Sequence, residues 1–220
     1  MSTNTIPNGV LIVDDHPMVR DGLTTRISGE SDLVVCGEAE DCEEALRKVA
    51  ALHPAIVIVD ISLKQGHGID LIKEIRRRFP QMKMLVHSMY DESVYAERSL
   101  RAGALGYINK QAAREHVVEA IRQVLAGKIY VSSDIGDRMM KRSLGVPNET
   151  GESPVGTLSN RELQVLTLIG EGCSTRAIAT QLNLSVHTID TYREKLKLKL
   201  ALKNSTELNR FAVQWVLENG

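Results

Sequence analysis

The stretch Ala55-Ile56-Val57-Ile58-Val59-Asp60 joins five uninterrupted apolar residues to a carboxylate. A strand with both faces buried has such a continuous apolar run, and this burial is typical of the interior of a parallel sheet. We therefore predict that Ile56–Val59 is the central strand of a parallel sheet, with Asp60 just beyond its carboxyl end.

On both sides of this stretch, from Gly9 to Gly127, short apolar runs alternate with longer segments whose apolar residues recur every three or four positions. This alternation predicts βα units in which helices cover both faces of a parallel sheet. Residues 9–127 are therefore predicted to form a doubly wound α/β domain with a five-stranded parallel sheet. The other predicted strands are Val10–Val13, Leu33–Cys36, Met84–Val86 and Gly106–Ile108, and the predicted helices include Glu43–Leu52, Ile69–Phe79, Ser93–Ala102 and Glu115–Ala126.

The rest of the chain has a different composition. Residues 128–156 are rich in serine, glycine and proline around one short amphipathic piece, which predicts a linker. Residues 157–220 have four short helical patterns and no strand pattern, which predicts a separate all-α domain. Within it, the segments Ser174–Leu182 and Ser185–Leu200 are separated by a short break, as in a helix-turn-helix. Residues 1–8 are predicted to be an N-terminal tail.

Bulk composition excludes little. The 220 residues have a formal net charge of −1, so any basic surface for nucleic acid must be local. The cysteines Cys36, Cys42 and Cys173 lack the spacing of a zinc site or a disulfide framework, and we assign no metal role to the histidines. The sequence shows neither a secretory leader nor an apolar run of membrane-spanning length, so we expect a soluble, cytoplasmic protein that does not bind membranes.

Polar residues end the predicted strands. Asp14 and Asp15 follow the first strand, Asp60 the third and Ser88 the fourth, and Lys110 follows the fifth. The carboxyl ends of parallel strands share one edge of the sheet, so these side chains are expected to converge there.

Crowded carboxylates repel one another and call for a cation, and Mg²⁺ prefers oxygen ligands of this kind. A carboxylate beside such an ion can attack phosphorus, and Lys110 would neutralise the transferring phosphoryl group.

With these residues in this order, residues 9–127 resemble the receiver domain of two-component response regulators. The resemblance implies that Asp14 and Asp15 hold magnesium, that the backbone carbonyl of Ser62 is a further ligand, and that a sensor histidine kinase phosphorylates Asp60. It also implies that Ser88 and Lys110 belong with Asp60 to the catalytic site, where Lys110 binds the phosphoryl group. Ser88 and the aromatic Tyr107 are implied as switch residues.

Taken singly, each of these residues has an ordinary structural explanation: an aspartate as a helix cap, a solvated lysine, a packed tyrosine. In one respect the chain departs from the family. Its loop Ile61–Gly68 lacks the Met-Pro pair that often follows the phosphoacceptor.

The predicted recognition helix Ser185–Leu200 has two faces. Apolar residues at helical spacing are predicted to face the domain core, and they are Val186, Ile189, Leu196 and Leu200. Four polar residues then point outward as candidate base contacts, and they are His187, Asp190, Thr191 and Glu194. The basic residues nearby are predicted to attract DNA phosphates, and they are Arg193, Lys195, Lys197, Lys199 and Lys203.

The motifs Leu158–Glu162, Ser174–Ala179 and Leu184–Ile189, followed by Lys199-Leu200, resemble the LuxR-type DNA-binding domain. A receiver followed by a domain of this type is the arrangement of the NarL/FixJ class of transcriptional regulators, which this chain therefore resembles. The resemblance implies binding to promoter half-sites as a homodimer formed through Ser205–Leu217, with RNA polymerase as a further candidate partner. The phosphate contacts that it implies are Thr175, Arg176, Thr188 and Lys199. Asp190 and Glu194 would either accept hydrogen bonds from cytosine amino groups or lie outside the groove.

The leading hypothesis is a transcription regulator switched by phosphorylation of Asp60, catalysing no reaction beyond its own phosphorylation and dephosphorylation. A second hypothesis is a phosphohydrolase similar to the haloacid dehalogenases, but those enzymes have a second acid where this chain has Ser62. A third is an adaptor that acts by protein contact and retains a vestigial helix-turn-helix.

Overall fold

The computed structural model describes residues 6–63, 66–111, 113–144 and 154–219. The chain forms two compact units, Met1–Gly136 and Asp137–Gly220. In the part of the chain so described, no helix is both long enough and apolar enough to cross a bilayer.

The first unit is built on a parallel sheet with the strand order β2-β1-β3-β4-β5. The strands are β1 (Asn8–Val13), β2 (Leu33–Ala39), β3 (Ile56–Val59), β4 (Lys83–Ser88) and β5 (Gly106–Asn109). The predicted fold and strand number are confirmed. β3 is the middle strand, and its residues are at most 1% exposed, as expected for a strand covered on both faces.

Helices cover both faces of this sheet. They are α1 (Pro17–Ser28), α2 (Cys42–Leu52), α3 (Gly68–Arg78), α4 (Glu92–Ala102) and α5 (Ala113–Leu125). One face packs on α1 and α5, where Ile27 and Ile121 join a buried cluster with Ile12, Ile58 and Ile108. The alternate strand residues face the other side, which α2, α3 and α4 cover. Helix α1 was not among the helices that apolar spacing predicted, because it buries an arginine, Arg20, beside few apolar residues.

The chain that follows α5 remains attached to the sheet. The main chain of Tyr130 accepts a hydrogen bond from the Tyr107 N–H at 2.8 Å and donates one to the Leu105 carbonyl at 3.0 Å. Helix α6 (Ser133–Ser143) begins just afterwards. Residues 128–136 of the predicted linker therefore belong to the first compact unit, whereas residues 145–153 of it lie outside the described residues.

Among its described residues the second unit has helices joined by short turns and no strand. After a 3₁₀ turn at Pro154–Thr157 it contains α7 (Asn160–Gly170), α8 (Thr175–Gln181), α9 (Val186–Lys199) and α10 (Ser205–Asn219). Serine side chains cap α7, α8 and α9 at Ser159, Ser174 and Ser185, and the predicted capping box with Glu162 is present. Asn183, in a left-handed conformation with φ 52°, makes the turn between α8 and α9. The predicted four-helix domain with its helix-turn-helix is confirmed.

Candidate functional site

Three carboxylates meet at the carboxyl edge of the sheet. Asp14 and Asp60 are each 1% exposed and Asp15 is 8% exposed. One oxygen from each, together with a ring nitrogen of His16, lies within 4.8 Å of the others. The predicted convergence is therefore observed for the three carboxylates. His16, which was assigned no role at this edge from the sequence, is exposed and has Nδ1 2.9 Å from an Asp15 oxygen.

Lys110 bridges two of these carboxylates. Its main-chain N–H donates to the Ser88 carbonyl at 2.8 Å, which fixes the chain just after β5. Its Nζ lies 2.7 Å from Asp14 Oδ2 and 2.9 Å from Asp60 Oδ2. Burial by itself lowers the pKa of Lys110, but the two carboxylates outweigh this effect and leave the pKa above its usual value. Lys110 is therefore a fixed positive charge inside the pocket.

The two carboxyl oxygens of Asp60 have different surroundings. Oδ2 accepts from Lys110 and, at 3.3 Å, from the Ser62 hydroxyl. Oδ1 is buried and has no hydrogen-bond partner among the described residues. Burial raises the pKa of Asp60 to about 6 although Lys110 opposes the rise, and the Asp14 carboxylate adds to it.

A buried oxygen without a donor is unfavourable unless something positive reaches it. Hard oxygen donors around such an atom fit Mg²⁺.

The loop after Asp60 is held close beneath it. The Gly68 N–H donates to the Ile61 carbonyl at 2.9 Å, and His67 caps α3 by accepting from the Ile69 N–H at 3.2 Å. A Cβ atom at Gly68 would lie 2.0 Å from the Asp60 carbonyl oxygen, so only glycine permits this approach. Residues 64–65 of the loop lie outside the described residues.

Ser88 and Tyr107 contact the same residue. The Ser88 hydroxyl accepts from the Tyr90 N–H at 3.3 Å, and the Tyr107 hydroxyl donates to the Tyr90 carbonyl at 2.7 Å. Both side chains are buried, and burial raises the pKa of Tyr107, so its phenol stays neutral. The Tyr90 ring stacks on Tyr95 with the ring centroids 4.8 Å apart. Sequence reasoning missed Tyr90, because its main chain makes the contacts and its residue type gives no sign of them.

A buried histidine precedes Ser88. His87 is 5% exposed and, by strand alternation, points to the same side of β4 as Leu85, toward the cluster of α1 and α5. Burial lowers the pKa of His87 to about 4, Lys110 lowers it further, and Asp14 opposes them. The imidazole is therefore neutral at neutral pH.

In the second unit, α9 buries one face and exposes the other. Ile189, Leu196 and Leu200 are buried, as predicted. The prediction for Val186 was wrong: its side chain is 44% exposed, because it is the first residue of α9 and the buried contacts begin one turn later. The four predicted base contacts are all exposed, and they are His187, Asp190, Thr191 and Glu194.

Several basic residues of α9 have partners within the second unit. Lys199 Nζ lies 2.7 Å from an oxygen of the buried Glu162, and Arg193 donates to the Asn209 side chain at 2.9 Å. Lys197 pairs with Glu194 at 2.9 Å, and Lys195 Nζ lies 5.9 Å from the centre of the Tyr192 ring.

The remaining predicted phosphate contacts lie at helix N-termini. Thr175 is half-buried and Arg176 is exposed in the first turn of α8. The Thr188 hydroxyl lies 2.8 Å from that of the capping Ser185.

Comparison with known families accounts for both units. A family model of the response regulator receiver domain matches residues 10–122, and one of the luxR family of bacterial regulatory proteins matches residues 156–212. The chain is a response regulator. Its two matches give it the architecture of the NarL/FixJ class, as the sequence predicted.

Two bacterial response regulators resemble this one along nearly the whole chain. Response regulator GacA of Pseudomonas protegens is 35% identical over 206 residues, which are 93% of this chain and 95% of GacA. Response regulator UvrY of Escherichia coli K12 is 34% identical over 210 residues, which are 96% of this chain and 95% of UvrY.

A solved structure shows the same fold. RcsB from Salmonella enterica serovar Typhimurium, bound to the promoter P1flhDC in the presence of the phosphomimetic BeF₃⁻, matches with a TM-score of 0.68 and 28% identity. The match covers 95% of this chain and 100% of the RcsB chain. This response regulator is a phosphorylation-controlled, DNA-binding regulator of transcription.

Proposed function

We propose that a sensor histidine kinase phosphorylates Asp60 in a Mg²⁺-dependent reaction, and that this modification controls dimerisation and sequence-specific binding to promoter half-sites. The observation that carries the proposal is the buried, partnerless Oδ1 of Asp60 beside two further carboxylates and the bridging Lys110. Because a regulator of this kind must reach the chromosome, we further propose that it acts in the cytoplasm, with RNA polymerase as a candidate partner.

The residues of the pocket have separate roles in the proposed reaction. Asp14, Asp15 and Asp60, with the backbone carbonyl of Ser62, would hold Mg²⁺. When bound, the ion supplies positive charge that offsets the charge of the phosphoryl oxygens. A carboxyl oxygen of Asp60 forms a bond to phosphorus while the phosphorus–nitrogen bond of a kinase phosphohistidine breaks, its electron pair leaving on the imidazole nitrogen. Lys110 neutralises the transferred group.

Ser88 and Tyr107 transmit the modification. A phosphoryl group on Asp60 gives the Ser88 hydroxyl a new acceptor and draws it away from the Tyr90 N–H. Tyr90 also holds the Tyr107 hydroxyl, so the loop after β4 and the tyrosine rearrange together. Tyr107 is bonded through its main chain to Tyr130, where the chain leaves the sheet toward α6. The two arrangements provide the bistable element that a switch requires.

Helix α9 enters the major groove in the proposed DNA complex, with phosphates contacted from neighbouring helix starts and base edges from its exposed face. Dimerisation through α10 would place two such helices on paired half-sites. The proposed phosphate contacts are Thr175, Arg176, Thr188, Arg193, Lys195, Lys197 and Lys199. The proposed base contacts are His187, Asp190, Thr191 and Glu194.

Phosphorylation is tested by intact mass spectrometry of the full chain incubated with Mg²⁺ and acetyl phosphate. We expect one added phosphoryl group in the wild type and in Asp21→Asn, which changes an exposed aspartate of α1. We expect none in Asp60→Ala or in wild type with EDTA. Undiminished labelling of Asp60→Ala would exclude Asp60 as the acceptor.

DNA binding is tested by selection from random duplexes with the full chain, with and without beryllofluoride. We expect an enriched sequence whose recovery rises with beryllofluoride, and a changed preference for His187→Ala or Thr191→Ala. Failure to enrich any sequence under either condition would favour the adaptor hypothesis.

A further inference from the structure

Arg20, in the first turns of α1, is nearly buried although it is an arginine, with 9% of its surface exposed. Its guanidinium reaches three oxygens in different directions. Nη1 donates to the Asp14 main-chain carbonyl at 2.7 Å, Nε to Glu38 at 2.9 Å and Nη2 to Glu40 at 2.8 Å. The guanidinium meets these oxygens with donors on three separate nitrogens held in one plane, whereas an ammonium group has all its donors on one nitrogen.

These bonds clamp the peptide that carries Asp14. The Asp14 N–H donates to the Ala39 carbonyl at 3.0 Å, at the end of β2. The Asp14 carbonyl is held by Arg20, whose anchors Glu38 and Glu40 flank Ala39. Both polar groups of Asp14's own backbone are thus tied to the end of β2, directly or through Arg20. The main chain of Asp14, from which the carboxylate projects, is therefore anchored from outside the acidic pocket.

We propose that Arg20 is a positioning residue for the cation site, holding the carboxylate of Asp14, and with it that of Asp15, where they bind Mg²⁺. The inference rests on the Mg²⁺ site proposed above. Groups that orient metal ligands through hydrogen bonds usually change metal affinity about 10- to 100-fold when they are removed. Arg20 contacts Asp14 through the main-chain carbonyl of that residue, so it acts on the cation site through the backbone of Asp14.

Loss of the positive charge of Arg20 and loss of its hydrogen bonds are expected to change Mg²⁺ affinity in opposite directions, so the two effects can be distinguished. If Arg20 acted only as a positive charge near an acidic pocket, its removal would make the pocket more negative and tighten cation binding. If Arg20 positions Asp14, its removal weakens cation binding in spite of the added negative field. Arg20→Met removes both charge and donors, and Arg20→Lys keeps the charge but loses the fork of donors.

The test is isothermal titration calorimetry of the full chain with Mg²⁺, with the folded state verified by urea unfolding. We expect the dissociation constant to rise about tenfold in Arg20→Met and about threefold in Arg20→Lys. It should not change in Arg26→Lys, an exposed arginine on the same helix. In acetyl phosphate labelling, the Mg²⁺ concentration for half-maximal rate should rise in parallel, while the rate at saturating Mg²⁺ stays near that of the wild type.

Unchanged or tighter Mg²⁺ binding in Arg20→Met would overturn the inference, as would an Arg20→Lys variant that binds like the wild type. If Arg20→Met does not fold, Arg20→Lys alone decides, because a charge effect predicts no change there. A lower urea midpoint with unchanged Mg²⁺ affinity would make Arg20 structural only. A wild type that binds no Mg²⁺ would instead refute the proposed function.

Discussion

Replacing the phosphoacceptor by its neutral isostere, Asp60→Asn, should stabilise the Mg²⁺-free protein. In the folded state the pKa of Asp60 is raised from 3.8 to about 6, chiefly by burial. That rise corresponds to about 3 kcal/mol against the ionised form at neutral pH. The substitution also removes the ion pair between Lys110 and residue 60, although the asparagine carbonyl oxygen can still accept a hydrogen bond and Lys110 keeps Asp14 as its charged partner. We therefore expect Asp60→Asn to gain about 1–3 kcal/mol, and the melting temperature of the receiver to rise about 3 °C per kcal/mol.

The stability difference between Asp60→Asn and the wild type depends on pH. Above pH 6 the Asp60 carboxyl is ionised in both states, and the full penalty weighs on the folded wild type. Between pH 6 and 3.8 the folded state binds a proton that the unfolded state has lost, so the wild type gains stability as the pH falls. The advantage of Asp60→Asn is thus largest above pH 6 and shrinks as the pH falls toward 3.8.

The assay is urea unfolding in EDTA at several pH values, followed by far-ultraviolet circular dichroism. Fluorescence of Trp215, the sole tryptophan, reports unfolding of the second unit, and the midpoint measured with it should be the same in Asp60→Asn and in the wild type. The exposed Asp21→Asn serves as the control. Added Mg²⁺ should stabilise the wild type, by about 2.7 kcal/mol at one hundred times its dissociation constant, and should have little effect on Asp60→Asn. An Asp60→Asn variant no more stable than wild type in EDTA at pH 7.5 would refute the reasoning.

Three further substitutions test the surroundings. Gly68→Ala places a Cβ atom 2.0 Å from the phosphoacceptor's carbonyl oxygen, so acetyl phosphate labelling should slow more than about tenfold, whereas Gly22→Ala, with open space around it, should label normally. Burial lowers the pKa of His87 to about 4 in the folded protein, so between pH 6.5 and 4 only the unfolded chain binds a proton there and the wild type loses up to about 3 kcal/mol of stability as the pH falls. In His87→Leu this loss should disappear. Equal changes of unfolding free energy with pH in the two proteins would contradict this. Lys199→Ala leaves the buried Glu162 without its cation and should destabilise the second unit by about 1–2 kcal/mol, measured by urea unfolding; an unchanged midpoint would show that the pair contributes nothing.

The pocket could be predicted from sequence because its geometry follows from the sheet. Once β1, β3 and β5 are recognised as parallel, the residues after them must share an edge, and Asp14, Asp60 and Lys110 meet there whatever the side chains around them do. The helices of the second unit were predictable for a similar reason, because capping residues and apolar spacing are local features of the chain.

The contacts that tune the pocket could not be predicted in this way. An arginine is normally exposed, so nothing in the sequence around Arg20 indicates that it is buried against the ends of β1 and β2. Tyr90 acts through its main chain, which every residue possesses. Both depend on contacts between residues far apart in the chain or on backbone geometry, and neither leaves a periodic pattern.

The charges of α9 likewise depend on contacts that its own sequence does not show. Counting its lysines and arginines predicts a strongly cationic surface, but Arg193, Lys197 and Lys199 have partners in the second unit. A phosphate contact by Lys199 must compete with the buried Glu162, whose pKa is lowered by Lys199 and Ser159 although burial alone would raise it. This lysine therefore joins the stability of the helix-turn-helix to its proposed contact with DNA. A substitution there changes both, so DNA affinity alone does not measure either.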